Sequence, residues 1–259
     1  MIKAKKKYGQ NFLIDSAVIK NIVGLINPQD EDAILEIGPG LGSLTFPILD
    51  KIKKIDVIEI DPDMVNFLSN SQYSKKINIH TNDILKIQDN FFNNFNKIIG
   101  NLPYYISSEI LIKICKLNNK NKKIYFMLQK EVAERISSPP GNKIYGRLSI
   151  VIQYFYNVEK LFDVAPSSFK PPPKIYSSIV ELIPKKEFKE KISNFVNFEK
   201  ITKLAFGQKR KTIKNNFREV LSEADFKILN INSQNRPETL TVDDFVRIEN
   251  YMDKQKIKI

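Results

Sequence analysis

The apolar run Ala33-Ile34-Leu35-Glu36-Ile37 passes without a linker into Gly38-Pro39-Gly40-Leu41-Gly42, and a helical pattern begins near Ser43. Few folds accommodate such a junction. A run of this length reads as a buried strand, and the order strand, glycine turn, helix is a nucleotide-binding arrangement. Absent side chains let a ligand approach the backbone, and the amides at the helix start face it. The glycines alternate at 38, 40 and 42, which does not fit the Gly-x-Gly-x-x-Gly spacing of dinucleotide binders.

Two further strands are expected downstream, each ending in a carboxylate. Ile55 to Ile60 places Glu59 about twenty residues after the glycine turn, where an acid in a doubly wound sheet accepts hydrogen bonds from ribose hydroxyls, with Ile60 beside it. Asp61 reads as the cap of the next helix, with Pro62 at its first position. Ile77 to His80 delivers Asn82-Asp83-Ile84, in which Asp83 can accept from an adenine amino group while Ile84 packs on the ring. A nucleoside cofactor is therefore expected. The alternating glycines preceded by Glu36 resemble the first motif of the S-adenosylmethionine-dependent methyltransferases.

A fourth strand, Lys97 to Gly100, runs into Asn101-Leu102-Pro103-Tyr104. The tetrapeptide offers a side-chain amide, an outward backbone carbonyl, a proline that removes a competing donor, and an aromatic face. That set suits a planar base bearing an amino group, at a strand end where open α/β sheets bind ligands. Helical and strand patterns continue through Gln129 to Ile136, Val158 to Val164 and Tyr176 to Ile183. Between the last two lies the stiff, extended loop Ser168-Phe169-Lys170-Pro171-Pro172-Pro173-Lys174, whose Phe169 could stack on a base. Past Pro184 the glycines and strand patterns give way to short helices, so a methyltransferase-sized domain over residues 1–184 and a small helical domain over 185–259 are expected.

Lys and Arg total 41 against 29 for Asp and Glu, a formal charge of +12, which favours a polyanionic partner over a neutral metabolite. Lysines at 3, 5, 6 and 7 lead into Tyr8-Gly9-Gln10-Asn11-Phe12-Leu13, and a second cluster, Lys209-Arg210-Lys211, is followed by Lys214 and Arg218. Both read as phosphate contacts. One histidine, His80, and one cysteine, Cys115, leave no zinc site of the usual His/Cys type and no internal disulfide. No apolar run approaches the roughly 20 residues of a spanning helix, and the start lacks the roughly 7 to 15 apolar residues of a signal peptide. A cytoplasmic monomer is the expectation.

Taken together, Gly9 to Leu13, Glu36 to Gly42, Glu59, Asp83, Asn101 to Tyr104, Gln129 to Ile136, Tyr145 to Ser149, Phe169 to Pro173 and Ala205 to Asn216 resemble the small-subunit ribosomal RNA adenine dimethyltransferase family over nearly the whole chain. The resemblance implies a doubly wound, Rossmann-like class I methyltransferase sheet with a small C-terminal helical domain. It implies that Asn11, Leu13, Gly38, Glu59, Asp83 and Asn101 line the S-adenosyl-L-methionine site, with Gln10, Gly40, Ile60 and Ile84 nearby and S-adenosyl-L-homocysteine as product. It further implies that Tyr104 and Phe169 sandwich the target adenine. Lys5, Lys6, Lys7, Arg147, Lys209, Arg210 and Lys211 would then contact rRNA on an immature small ribosomal subunit. Tyr105 departs from the family, which often has Asn there. The alternatives are a large-subunit rRNA methyltransferase of the macrolide-resistance type, a DNA adenine methyltransferase, and an assembly factor with dispensable catalysis.

Overall fold

In a computed structural model describing residues 4–117, 122–185, 191–208 and 210–259, seven strands form one sheet: β1 (Ile34–Ile37), β2 (Ile55–Glu59), β3 (Ile77–Thr81), β4 (Lys97–Asn101), β5 (Lys123–Gln129), β6 (Tyr156–Val164) and β7 (Ser177–Pro184). Their spatial order is β3-β2-β1-β4-β5-β7-β6. The first five run parallel, and β7 is antiparallel to β5. All four residues of β1 are buried, as a strand covered on both faces requires, and this explains why these runs read as continuous apolar segments and not as alternation.

The chain leaves β1 toward β2 and β3 on one side, then returns to β4 on the other. The switch in direction between β1 and β4 opens a crevice at their carboxyl ends. Gly100 keeps these two ends close: a Cβ there would lie 2.6 Å from the Ile37 carbonyl oxygen. Helix α1 (Ser16–Ile26) is capped by Asp15, whose side chain accepts from the amides of Ala17 and Val18. It ends at Asn27 in the left-handed region (φ 42°), just before Pro28. Helix α2 is a short Thr45–Leu49, starting two residues later than the expected Ser43. Asp61 caps α3 (Pro62–Ser69) by accepting from the Asp63 amide. Helix α4 (Ser107–Cys115) follows a single turn over Tyr104–Ile106, and α5 spans Lys130–Ser137. A two-residue ladder pairs Phe12 with Lys170 and Leu13 with Phe169.

The chain divides into two compact units, Met1–Ala133 with Val158–Pro184, and Glu134–Asn157 with Lys185–Ile259. This differs from a single cut at residue 184. Helix α6 (Arg147–Phe155) groups with the C-terminal helices because its residues are satisfied there: the Tyr154 ring lies 5.3 Å from that of Phe198, and the Arg147 guanidinium donates to Glu199 at 3.0 Å. Phe198 and Glu199 belong to α7 (Phe195–Ala205), which packs with α10 (Val242–Lys254). The buried Glu249 of α10 accepts from the backbone amides of Ser193 and Asn194 at the start of α7. Two short helices, α8 (Ile213–Asn216) and α9 (Glu223–Ile228), complete this unit.

Phe198 is fully buried. Phe198→Ala is expected to cost about 3–5 kcal/mol through lost burial and the cavity left behind. The measurement is the urea unfolding midpoint, and an unchanged midpoint would show that the α6–α7 packing does not hold this unit together.

Candidate active site

A cavity of about 210 Å³ opens at the carboxyl ends of β1, β2, β3 and β4, lined among others by Asn11, Leu13, Gly38, Glu59, Asp83 and Asn101. Every residue expected around a nucleoside cofactor lines it, including Gln10, Gly40, Ile60 and Ile84. Four strands and the segment before α1 bring them together. Gly38 adopts φ 68°, and a Cβ built on it would meet nothing within 4 Å. A side chain there would project into free space beside the turn, so the glycine leaves room for a ligand while allowing a left-handed backbone.

Two carboxylates are buried at this turn. Glu36 is 2% exposed and accepts from the Thr45 hydroxyl at 2.6 Å. Burial, with a smaller push from the Glu59 charge, raises its carboxyl from 4.5 to about 7. Glu59 accepts from the amides of Gly40 (3.2 Å), Ile60 (2.9 Å) and Asp61 (2.8 Å). Burial raises its pKa too, against the lowering effect of those three amides. Three bonds occupy most of the roughly four acceptor sites of a carboxylate and fix its plane, leaving about one site for a ligand hydroxyl. Asp83 accepts from the Leu85 amide through one oxygen, while Ile84 is buried beside it.

On the other side of the cavity, the Asn101 side-chain nitrogen donates to the Asn11 carbonyl at 3.0 Å. That bond fixes the amide, so its oxygen is left as an acceptor. The Leu102 amide donates to Met127, and among the described residues its carbonyl accepts no hydrogen bond. Tyr104 shares a 2.6 Å hydrogen bond with the buried hydroxyl of Ser177, and burial raises the phenol's pKa. Two unpaired acceptors and an aromatic face thus adjoin one another, as the tetrapeptide composition suggested.

Phe169 is elsewhere. Its ring is 2% exposed, packed in the core cluster that also holds Leu13, and it does not line the cavity. The expected sandwich with Tyr104 is not formed in this conformation: Phe169 pairs with Leu13 in the two-residue ladder and is buried in the core. The expected phosphate-binding residues also sort differently. Lys5 is held by Asp61 and Asp63, each at 2.6 Å, and Arg147 by Glu199. Lys7, Arg210 and Lys211 are exposed. Lys209 and the side chain of Lys6 lie outside the described residues.

Several site residues carried no readable signal. Ser177 reaches Tyr104 across 73 positions. Asp61 was legible as a cap, yet it is fully buried and also accepts from Lys5 and from Gln10 at 2.8 Å. Burial pushes its pKa up, but the hydrogen bonds from Lys5, Gln10 and the Asp63 amide outweigh this and hold it below the ordinary value. Tyr105 borders the cavity at 59% exposure, and its ring sits 3.0 Å from where a Cβ on Gly9 would stand.

Glu36 gives the site a pH signature. Its raised pKa means that the folded chain retains a proton that the unfolded chain releases, so the stability it adds is full below 4.5 and is lost as pH rises through about 7. Glu36→Gln mimics the protonated form. Its melting temperature should match that of the natural chain near about pH 5 and exceed it near about pH 8. Parallel curves over that range would show that Glu36 does not titrate there.

Comparison with known proteins follows the same lines. The ribosomal RNA adenine dimethylase family matches residues 1–254. The ribosomal RNA small subunit methyltransferase A of Neisseria meningitidis serogroup C is 42% identical over 250 residues, covering 96% of each chain. The protein of that name from a Marinomonas species is 40% identical over 258 residues, covering 98% of this chain and 97% of its own. Among solved structures, a dimethyladenosine transferase from Plasmodium falciparum superimposes with a TM-score of 0.79 at 28% identity, over 95% of this chain and 98% of its own. The 23S rRNA methyltransferase ErmE, at 20% identity, shares the fold with a TM-score of 0.69 over 94% of this chain and 100% of its own. With the family matched from end to end and the cavity assembled from its expected residues, the chain belongs to the ribosomal RNA adenine dimethylases.

Proposed function

We propose that this enzyme transfers methyl groups from S-adenosyl-L-methionine to the exocyclic amino nitrogens of adenosines in small-subunit rRNA, giving dimethyladenosine and S-adenosyl-L-homocysteine. The observation that carries this reading is the pair of acceptors beside Tyr104: the Asn101 side-chain oxygen, freed by the bond from its nitrogen to Asn11, and the unpaired Leu102 carbonyl. When bound, S-adenosyl-L-methionine supplies an electrophilic methyl group on a sulfonium. Glu59 would hold its ribose, Asp83 and Ile84 its adenine, and Gly38, Asn11 and Leu13 its remaining contacts.

An adenine amino nitrogen is a poor nucleophile because its lone pair is delocalised into the ring. Asn101 and Leu102, by accepting its two hydrogens, hold the nitrogen toward tetrahedral geometry and aim the lone pair at the methyl group. Transfer would join this nitrogen to the methyl carbon as the carbon–sulfur bond breaks with its electron pair kept by sulfur, and the nitrogen's proton would leave to water. Positioning and electrostatics supply the acceleration, and no strong base is required. Asn suits the role because it accepts without placing a charge near the sulfonium. Tyr104, its hydroxyl tied to Ser177, offers a fixed face for the extruded base, and stacking contributes about 1–3 kcal/mol. The finer reading is a monomer acting in the cytoplasm on an immature small subunit; the family resemblance supports it, and the +12 charge supports the RNA partner alone.

Purified protein, labelled S-adenosyl-L-methionine and undermethylated small subunits should yield dimethyladenosine in small-subunit RNA, detected by mass spectrometry of the digest. Label appearing in large-subunit RNA instead would overturn the substrate assignment. Asn101→Ala should slow transfer by about 10²–10³-fold, and full activity of this variant would sink the mechanism.

A further inference from the structure

The segment Tyr8–Leu13 forms one wall of the cavity, and it is attached at both ends. At its C-terminal end the Asn11 carbonyl accepts from Asn101, the Leu13 carbonyl accepts from the Ser43 hydroxyl at 2.6 Å, and the Ile14 amide donates to Ser168. At its N-terminal end the polar hold is a cluster around Asp61. The Lys5 ammonium donates to Asp61 and reaches Asp63, the Gln10 amide donates to the second Asp61 oxygen, and the Gln10 side-chain oxygen accepts from the Lys5 backbone amide at 2.8 Å. Asp61 is fully buried, so its charge is compensated by these donors and not by water. The Asp61 amide in turn donates to Glu59, the carboxylate assigned to the ribose.

We propose that Lys5 and Asp61 are positioning residues for the methyl donor: their ion pair fastens the Tyr8–Leu13 wall against the ribose end of the cavity and so slows escape of the bound nucleoside. This rests on the cofactor assignment above. It removes Lys5 from the set of lysines that meet RNA, although its neighbour Lys7 remains exposed for that role. An ammonium already shared by two carboxylates has little left to offer a phosphate. Because the clasp touches no reacting atom, its first effect is on dissociation of the donor and product.

The test uses the full chain and its Lys5→Gln, Lys5→Arg and Lys7→Gln variants. Calorimetry and stopped-flow measure S-adenosyl-L-homocysteine binding; a separate titration with undermethylated small subunits at two salt concentrations measures RNA binding. Lys5→Gln should weaken S-adenosyl-L-homocysteine about tenfold, the scale of one charge-assisted hydrogen bond, through faster dissociation. Its affinity for the subunit and the salt dependence should match those of the natural chain. Lys5→Arg should restore most of the binding, whereas Lys7→Gln should leave it intact and weaken the subunit complex. Unchanged S-adenosyl-L-homocysteine affinity in Lys5→Gln, or a loss confined to subunit binding, overturns the proposal while the cofactor assignment stands. Failure of the natural chain to bind S-adenosyl-L-homocysteine would bring down both.

Discussion

Two carboxylates buried at the end of β2, Glu59 and Asp61, set the terms for the rest of this site. A buried charge must be met by donors, and Glu59 is met by backbone amides from both sides: Gly40 in the first turn, Ile60 and Asp61 in the second. Those bonds fix how β2 hands over to α3, and so place Asp61. Asp61, also buried, collects Lys5 and Gln10. The wall those residues anchor carries Asn11, whose carbonyl orients Asn101. A continuous chain of hydrogen bonds therefore runs from the ribose acid to the acceptor of the reacting amine.

The framework of this arrangement was readable from residue order. Apolar runs ending in Gly38, Glu59, Asp83 and Asn101 are strands in the structure, and all four residues line one cavity. Strand ends are legible because the pattern is local: an apolar run stops where a polar residue or a glycine begins. The glycine turn and the Asp61 cap were legible for the same reason. Residues whose role depends on a distant partner were not. Nothing near Ser177 announces that its hydroxyl meets Tyr104, and nothing near Glu36 announces Thr45 as its donor.

Charge misled more than hydrophobicity did. A run of lysines reads as a surface for phosphate, but each ammonium is free to choose any carboxylate that folding brings near. Lys5 is taken by Asp61 and Asp63, and Arg147 by Glu199 across to α7. Sequence counts charges without pairing them. Aromatic residues mislead in a similar way: Phe169 sits in a proline-rich loop that suggests display, yet its backbone pairs with Leu13 and its ring fills the core. Domain limits were blurred for a third reason. Helix α6 follows a Pro-Pro-Gly break after α5 that would read the same within one domain as between two, and Tyr154 and Arg147, facing α7, show which unit it joins.

The two-residue ladder between Phe12–Leu13 and Phe169–Lys170 has a thermodynamic meaning. Leu13 borders the cavity, whereas Phe169 belongs to the loop leading toward β7 and Ser177, the partner of Tyr104. One short set of backbone bonds thus joins the donor's side of the site to the base's side. Any ligand that favours one arrangement of this ladder changes the free energy of the other side, and linkage makes the effect equal in both directions. The donor's presence would thereby be felt where the nucleic acid arrives, before the two ligands meet.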